Sequence, residues 1–518
     1  ANHLGPESCV FHREVGCEAL TGETGRPAIE PHHHFLQTPA TMIPTLRAVF
    51  SCLLICTAIF QPVRAQPLEK GAGVDATARP AQVPLPAPSA SARDLFSRYK
   101  DRLVQVRVLL KSANEQSSLG SGFVVRDDGP KGVWLITNYH VVSSLAINPE
   151  KFRIELRPTS ERTVKATLVA VDVIHDLAVL RAEPLNGSPA WPAFDLRDSP
   201  LSQGERIFSL GNPLELGFLI SEGIYNGPVE SRIYEQMLFS GALNSGMSGG
   251  PAIDEAGRVV GVNVATRRGG QLLAFLVPVR YARELLERAW QTPPRKEWRT
   301  EVARQLIAHQ NFVAGKLLDM SDTNVTDKVD DRKGSGAKTD LTVANAKAGF
   351  ASQTLSGRIV PTLDGSLTKC WAGGRDGERL RYERDTLDCS LRSELFVRGN
   401  LYTGFLSVRH VLLRNDKLAT PQFLAITSPG RASASFQPGS SEMTPDECRD
   451  DYVRGAVHVY RVAICIKAFK KFEGIYDFNV SATQVDDARE RMLSTLSLNG
   501  ISFENGQRLS NMFLERLQ

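Results

Sequence analysis

Three short segments of the sequence carry the residue types that acyl transfer requires. His140 follows one short apolar run, Asp176 precedes another, and Ser248 lies in the glycine-rich segment Asn244–Pro251. A serine hydroxyl is a poor nucleophile until an imidazole takes its proton, and a carboxylate then fixes the imidazole tautomer and stabilises the imidazolium. The sequence therefore predicts Ser248 as nucleophile, His140 as general base and Asp176 as the acid that orients the base.

The glycines around Ser248 have a predicted role of their own. A backbone that aims two N–H groups at a developing oxyanion needs conformations that glycine adopts at low cost. We expect the N–H groups of Gly246 and Ser248 to be these donors. Gly249 and Gly250 then let the chain leave the turn without a side chain that would block the substrate.

Each motif taken alone also has an ordinary structural explanation. A histidine after a strand is usually a core or surface residue, and an aspartate before a strand is usually a turn residue. Taken together, the order His, Asp, Ser along the chain, the separations of 36 and 72 residues and the residues that flank each motif favour catalysis. Asp172 is a weaker candidate for the acid and Ser245 for the nucleophile. Four other histidines are weaker candidates for the base: His175, His309, His410 and His458.

The elements that would position these residues are mainly β-strands. Residues 94–290 consist of short apolar runs separated by Gly, Pro, Asn and Asp, which indicates a barrel or sandwich of short strands. An amphipathic helix, Arg280–Trp290, closes this region. Residues 291–349 are predicted to form a helical connector over Glu297–Leu318 and a polar linker over 321–347.

Residues 350–518 are predicted to form a second β-rich domain, which ends in two helices near Asp486–Leu496 and Gln507–Leu517. Four cysteines in this late segment indicate two disulfides rather than a metal site, because no C-x-x-C pair occurs. Three pairings are possible. Sequence proximity favours Cys370–Cys389 and Cys448–Cys465. We expect this domain to target the protein or to present substrates.

The N-terminal sequence indicates export. The apolar run Ala48–Phe60 follows Arg47 and precedes the small residue Ala65, as in a secretory signal peptide. This run is too short for a stable membrane anchor. We therefore expect an upstream segment at 1–41, a signal peptide at 42–65 and a Pro/Ala-rich linker at 66–93.

Composition narrows the class of partner. The 518 residues are 42% hydrophobic and 23% charged, as in soluble globular proteins. The net charge of +4 is too small for a chain of this length to indicate nucleic-acid binding. We expect protein or peptide substrates, no nucleic acid, no cofactor and no metal. The sequence carries no signal for an oligomeric state.

Residues 94–290 resemble a trypsin-like (chymotrypsin-fold) serine protease, closest to the HtrA/Deg branch. The matching segments are Gly120–Val124, Thr137–Val142, Asp176–Leu180, Gly211–Pro213, Asn244–Pro251 and Val260–Asn263. The resemblance implies a mainly β protein, with a chymotrypsin-like double β-barrel of two six-stranded barrels before the connector and the second β-rich domain. It also implies that His140, Asp176 and Ser248 meet in the cleft between the barrels.

The same resemblance places Ala242 near the base of the S1 pocket and Val264 beside the substrate. A small apolar residue at 242 favours small or medium apolar P1 residues. One departure is Met247, where HtrA-type enzymes usually carry Asn or Asp. In trypsins that are activated by a cut, the new N-terminal amine pairs with an Asp beside the nucleophile. Met247 has no charge to form this pair, so we expect no activating cut near residue 94.

Two functions of different classes follow from these patterns. The first is a secreted or periplasmic serine endopeptidase that uses His140, Asp176 and Ser248. The alternative is a catalytically inactive protease-like scaffold that binds proteins. The presence of all three residue types favours the enzyme.

Overall fold

A computed structural model describes the chain from Ser89 onwards. The described residues are 89–517, without 159–162, 184–190, 231, 267–271, 292–296, 320–349, 364–367, 376–380, 416 and 428–440. The predicted segments 1–41 and 42–65, residues 66–88 of the predicted linker 66–93 and the polar linker 321–347 lie outside the described residues. No helix within the described ranges is long and apolar enough to cross a membrane.

The first barrel is preceded by a helix, α1 (Ala90–Tyr99), whose start is capped by the Ser89 hydroxyl. The barrel elements in chain order are β1 (Leu103–Leu110), β2 (Glu115–Asp127), β3 (Val133–Thr137), α2 (Tyr139–Ile147), β4 (Phe152–Pro158), β5 (Val164–Asp172) and β6 (Leu177–Ala182). The strands close in the order β1-β2-β3-β6-β5-β4. Strand β3 is buried along its whole length, and only Asn138 separates it from the start of α2.

A second closed barrel follows directly. Its elements are β7 (Arg206–Gly211), β8 (Leu219–Pro228), β9 (Met237–Phe239), β10 (Pro251–Ile253), β11 (Val259–Thr266), β12 (Ala274–Pro278) and the closing helix α3 (Val279–Gln291). The strand order is β10-β11-β12-β9-β8-β7. These two six-stranded barrels confirm the predicted double-barrel fold, and α3 lies where an amphipathic helix was predicted.

A long helix, α4 (Trp298–Asp319), connects the barrels to the C-terminal domain. Its first half contributes Trp298, Val302 and Leu306 to the core of the first barrel. Its second half contributes Val313 and Leu317 to the core of the C-terminal domain. The helix therefore packs on both parts of the chain.

The C-terminal domain is built on a seven-stranded antiparallel sheet. Its elements are β13 (Ala351–Leu355), β14 (Arg358–Thr362), β15 (Thr368–Arg375), β16 (Tyr382–Arg398), β17 (Leu401–Asn415), α5 (Thr420–Thr427), β18 (Glu447–Arg454), β19 (Val459–Ala468), β20 (Tyr476–Gln484), β21 (Glu490–Ile501) and α6 (Phe503–Leu514). The sheet order is β15-β16-β17-β21-β20-β19-β18, with β13 and β14 forming a separate hairpin.

Two disulfides lie at opposite edges of this sheet. Cys370–Cys389 joins directly opposed residues of β15 and β16, and Cys448–Cys465 does the same for β18 and β19. These are the pairings that sequence proximity favours. Each bond ties an outer strand to its inner neighbour.

The predicted helix near Asp486–Leu496 is wrong, because most of this segment belongs to strand β21. Strand β21 lies between β17 and β20 and pairs with both. Burial alternates along it, with Met492, Ser494 and Leu496 facing the core. Pairing on two sides therefore overrides a local sequence that favours a helix. The second predicted helix, near Gln507–Leu517, corresponds to α6, which begins at Phe503 and ends at Leu514.

Candidate active site

His140 and Asp176 are brought together by two elements of the first barrel. His140 is the second residue of α2, and Asp176 lies in the turn between β5 and β6. The Asp176 backbone is in the left-handed region (φ 55°), which short polar residues tolerate better than most. Asp176 Oδ2 accepts a hydrogen bond from His140 Nδ1 at 2.6 Å, and Oδ1 accepts one from the His140 backbone N–H at 2.8 Å.

The Asp176 turn is also fastened to the start of α2 through the backbone. The Asp176 carbonyl accepts hydrogen bonds from the side-chain amide of Asn138 at 2.8 Å and from the Tyr139 N–H at 3.1 Å. Four hydrogen bonds therefore join the turn to the first residues of the helix. This arrangement fixes both the position of the imidazole and its tautomer, since a carboxylate at Nδ1 leaves Nε2 free to accept a proton.

The surroundings of His140 act on its basicity in opposite directions. Burial lowers the pKa of the imidazole, because it disfavours the charged form. The negative charge of Asp176 and its hydrogen bond outweigh burial, so the pKa of His140 is raised above its ordinary value. His140 is therefore a stronger base than a free histidine.

Ser248 lies in the loop between β9 and β10 of the second barrel. Its hydroxyl donates a hydrogen bond to the carbonyl oxygen of Val264 on β11, at 2.9 Å. The contacts of the described residues include no hydrogen bond between Ser248 Oγ and the His140 ring. Ser248, the predicted nucleophile, is therefore in a resting orientation, from which its side chain would have to turn about the Cα–Cβ bond to reach the predicted base.

The loop around Ser248 requires glycine at two positions. Gly246 and Gly249 have φ values of 95° and 85°. Ser121 of β2 holds this loop from the other barrel: its hydroxyl donates to the Gly246 carbonyl at 2.7 Å, and its N–H donates to the Ser248 carbonyl at 2.8 Å. Within the described residues, no protein acceptor takes the N–H groups of Gly246 and Ser248, the two predicted oxyanion donors.

Asn263 anchors the same loop from within the second barrel. This fully buried residue accepts the Gly249 N–H through its carbonyl at 2.9 Å, and its side-chain amide donates to the Leu210 carbonyl at 2.9 Å. Met247 is buried in the barrel core and packs against Gly211. The residue before Ser248 thus serves packing. Sequence reasoning gave no role to Ser121 or Asn263, although both lie in segments that carry the family resemblance.

The weaker candidates are located elsewhere. Asp172 pairs with His175, whose Nδ1 lies 3.0 Å from Oδ2, and with Arg288 at 3.1 Å. Ser245 is exposed in the loop before the nucleophile. The remaining histidines have other partners: His309 with Tyr234, His410 with Ser494 and Pro361, and His458 with Asp486. Burial lowers the pKa of His410 to about 4, so it is a neutral core residue at ordinary pH.

The two predicted specificity residues differ in exposure. Ala242 is exposed in the loop before the nucleophile, and Val264 is partly buried on β11. The Val264 carbonyl accepts the Ser248 hydroxyl. Among the described residues, no group of three His, Cys, Asp or Glu side chains is arranged to hold a metal ion.

Comparison with known proteins identifies the region that holds this site. Residues 120–262 match the family model for the trypsin-like peptidase domain. The mitochondrial serine protease HTRA2 of Drosophila pseudoobscura pseudoobscura is 32% identical over 181 residues, which are 33% of this chain and 39% of that protein. The probable periplasmic serine endoprotease DegP-like of Halomonas elongata is 32% identical over 198 residues, covering 37% and 39%.

A solved structure, the serine endoprotease from Yersinia pestis, is 24% identical with a TM-score of 0.34, and the match covers 40% of this chain and 69% of that one. The chain spans 39% of the length of the two curated relatives above. The sequence similarity is thus limited to part of the chain. The part that carries His140, Asp176 and Ser248 matches the trypsin-like peptidase domain and is similar to HtrA and DegP-like serine proteases.

Proposed function

We propose that the chain is an exported serine endopeptidase that hydrolyses peptide bonds through an acyl-enzyme on Ser248. The observation that carries the proposal is the His140–Asp176 pair, with its 2.6 Å hydrogen bond, in the same trypsin-like domain as a serine in a glycine loop. The relatives named as serine proteases support the same reaction class.

The reaction begins when the Ser248 hydroxyl leaves the Val264 carbonyl and turns to His140. Oγ attacks the substrate carbonyl carbon while His140 Nε2 takes the hydroxyl proton, and Asp176 stabilises the imidazolium. The N–H groups of Gly246 and Ser248 stabilise the oxyanion of the tetrahedral intermediate. His140 then gives its proton to the leaving amine, and the C–N bond breaks to leave an acyl-enzyme.

Hydrolysis of the acyl-enzyme repeats these steps with water. His140 takes a proton from the water molecule, whose oxygen attacks the ester carbonyl. The second tetrahedral intermediate uses the same two N–H donors. Its collapse returns the proton to Ser248 Oγ and releases the carboxylic acid product.

The deciding experiment compares two serines of one loop. We expect Ser248→Ala to lower kcat for casein cleavage by at least about 10⁴-fold, because the nucleophile is lost. Ser245→Ala is the matched control, since Ser245 is exposed three residues earlier, and it should retain activity. Casein cleavage by Ser248→Ala at the parent rate would refute the proposal.

An inactive scaffold that binds proteins is the alternative, and the resting orientation of Ser248 is the observation that favours it. A fluorophosphonate probe separates the two functions, because it reacts with an activated serine. Labelling of the parent protein at Ser248 supports the enzyme. A parent protein that binds casein but takes up no probe is the scaffold.

The substrate class and the location are part of the proposal. Ala242 has no charge for Arg or Lys, so we propose cleavage after small or medium apolar residues. A peptide library cleaved mainly after Arg would contradict this. Two disulfides support an oxidising compartment outside the cytosol. Fractionation that finds the protein in the cytosol would contradict export.

A further inference from the structure

A strand of the C-terminal domain contacts the helix that carries His140. Tyr139, the residue before it, is fully buried, and its hydroxyl donates a hydrogen bond to the Val397 carbonyl of β16 at 2.9 Å. The ring of Phe396 lies edge-on to the His140 imidazole, with centroids 5.9 Å apart, and 6.4 Å from the Tyr139 ring. Both residues at the start of α2 therefore touch the C-terminal domain.

The end of β16 is itself held firmly. Leu395 and Val397, on either side of Phe396, are buried in the same core as the first barrel. Tyr402 of β17 packs edge-on against Phe396 with centroids 5.5 Å apart. Arg398 pairs with Glu442 at 3.1 Å. Phe396 is thus a partly exposed ring on a fixed backbone.

The Asp176 turn is supported from outside the barrels as well. Gln305 of α4 is buried, and its amide donates to the Val171 carbonyl at 2.9 Å and accepts the Val173 N–H at 2.7 Å. Val171 and Val173 flank Asp172, the last residue of β5, where the turn that carries Asp176 begins. The connector helix therefore fixes the approach to the aspartate, as β16 fixes the start of α2.

We infer, building on the proposed function, that the C-terminal domain is a working part of the protease active site and that Phe396 is a positioning residue for His140. The Phe396 ring limits rotation of the imidazole and excludes water from one side of it. A positioning contact of this kind acts on the rate because a displacement of about 1 Å in a catalytic group costs up to about 10²-fold.

The charges near the contact between Phe396 and His140 determine how the pH dependence of activity would change if the Phe396 ring were removed. Asp176 is the charged group that acts on the imidazole. The positive charge of Arg398 acts on the neighbouring Tyr139 and is paired with Glu442. Because burial lowers the pKa of His140, removal of the Phe396 ring should raise that pKa and move the pH midpoint of activity upwards.

The experiment measures the rate of fluorophosphonate labelling against pH in the full chain. Phe396→Ala should lower the plateau rate by about tenfold and raise the pH midpoint. Phe396→Tyr, which keeps the ring, should restore both towards the parent values. Trp371→Ala is the matched control, since Trp371 is an aromatic residue of the same sheet that is 67% exposed on the outer strand β15.

The outcomes are separable. A parent protein that is not labelled at Ser248 refutes the proposed function itself. A labelled parent together with a Phe396→Ala protein of unchanged rate and midpoint refutes the inference alone. A Phe396→Ala protein with a lower Tm but an unchanged midpoint assigns Phe396 a purely structural role, which also overturns the inference. Phe396→Leu, which keeps apolar bulk without the ring, repeats the test if the alanine protein fails to fold.

Discussion

Replacement of Asp176 by asparagine tests the tautomer that the proposed mechanism requires. One carboxylate oxygen accepts the His140 ring N–H at 2.6 Å and the other accepts the His140 backbone N–H at 2.8 Å. An asparagine has one oxygen for these two donors. It can therefore satisfy only one of them.

Either orientation of the amide impairs the base. If the oxygen stays on the backbone N–H, the amide nitrogen faces Nδ1, and the ring must carry its proton on Nε2, where it cannot accept from Ser248. If the amide is reversed, its NH₂ meets the part-buried backbone N–H of His140, which loses its acceptor at a cost of about 1–3 kcal/mol. Neither orientation supplies a charge for the imidazolium. We therefore expect a loss of about 10⁴-fold in kcat, which is the effect of losing the correct histidine tautomer in a Ser-His-Asp triad.

Asp172→Asn is the matched control for this substitution. Asp172 accepts from the backbone N–H and from the ring Nδ1 of His175, both at 3.0 Å, so it makes the same two hydrogen bonds to a histidine at a second place in the barrel, and it also pairs with Arg288. This control should lose stability but retain activity, because His175 has no role in the proposed reaction. Activities are measured with casein and with the fluorophosphonate probe, and folding is measured as Tm. Equal losses of activity in the two variants, or an Asp176→Asn protein within tenfold of the parent, would refute the reasoning.

Two further predictions concern the predicted base, His140, and the loop around Ser248. His140 must be neutral to act as the base, and its pKa is raised above the ordinary histidine value of about 6.5. The acid limb of kcat/KM against pH should therefore have its midpoint above about 6.5, and a midpoint below that value contradicts the prediction. Gly249→Ala places a Cβ in clash with the Ser121 carbonyl oxygen, at a backbone φ of 85° that alanine also disfavours. Backbone strain alone costs about 1–2 kcal/mol, so the substitution should lower the free energy of unfolding by more than this amount. Gly204→Ala, at a φ of 97° with nothing within 4 Å, isolates that strain, and equal effects in urea titrations would show that the clash is absent.

Short strands separated by turn residues indicate a barrel or a sandwich, and it is the resemblance to trypsin-like proteases that implies the double barrel found in the structure. The residues of the candidate site could be proposed from sequence because each of His140, Asp176 and Ser248 lies within a short motif of its own. Strand β21 could not be predicted in this way. Its sequence favours a helix, and its conformation depends on pairing with β17 and β20.

The contact between Phe396 and His140 lay beyond sequence reasoning for a different reason. The two residues belong to different domains and are far apart in the chain, and neither local sequence carries a sign of the other. The same holds for Gln305, which resembles any polar residue of an amphipathic helix until its two backbone partners are known. Contacts of this kind follow from how complete domains pack, which periodicity does not encode.

The disulfides at the two margins of the C-terminal sheet bear on self-digestion. A protease that accepts extended polypeptides meets other copies of itself, and the outermost strand of a sheet, hydrogen-bonded on one side, opens before the inner strands. Cleavage follows the population of the opened segment. Because β15 and β18 are each covalently held to an inner strand, a strand that loses its hydrogen bonds stays beside its neighbour. Under the proposed function, we therefore expect the sheet whose Phe396 contacts His140 to be protected at both margins against autolysis.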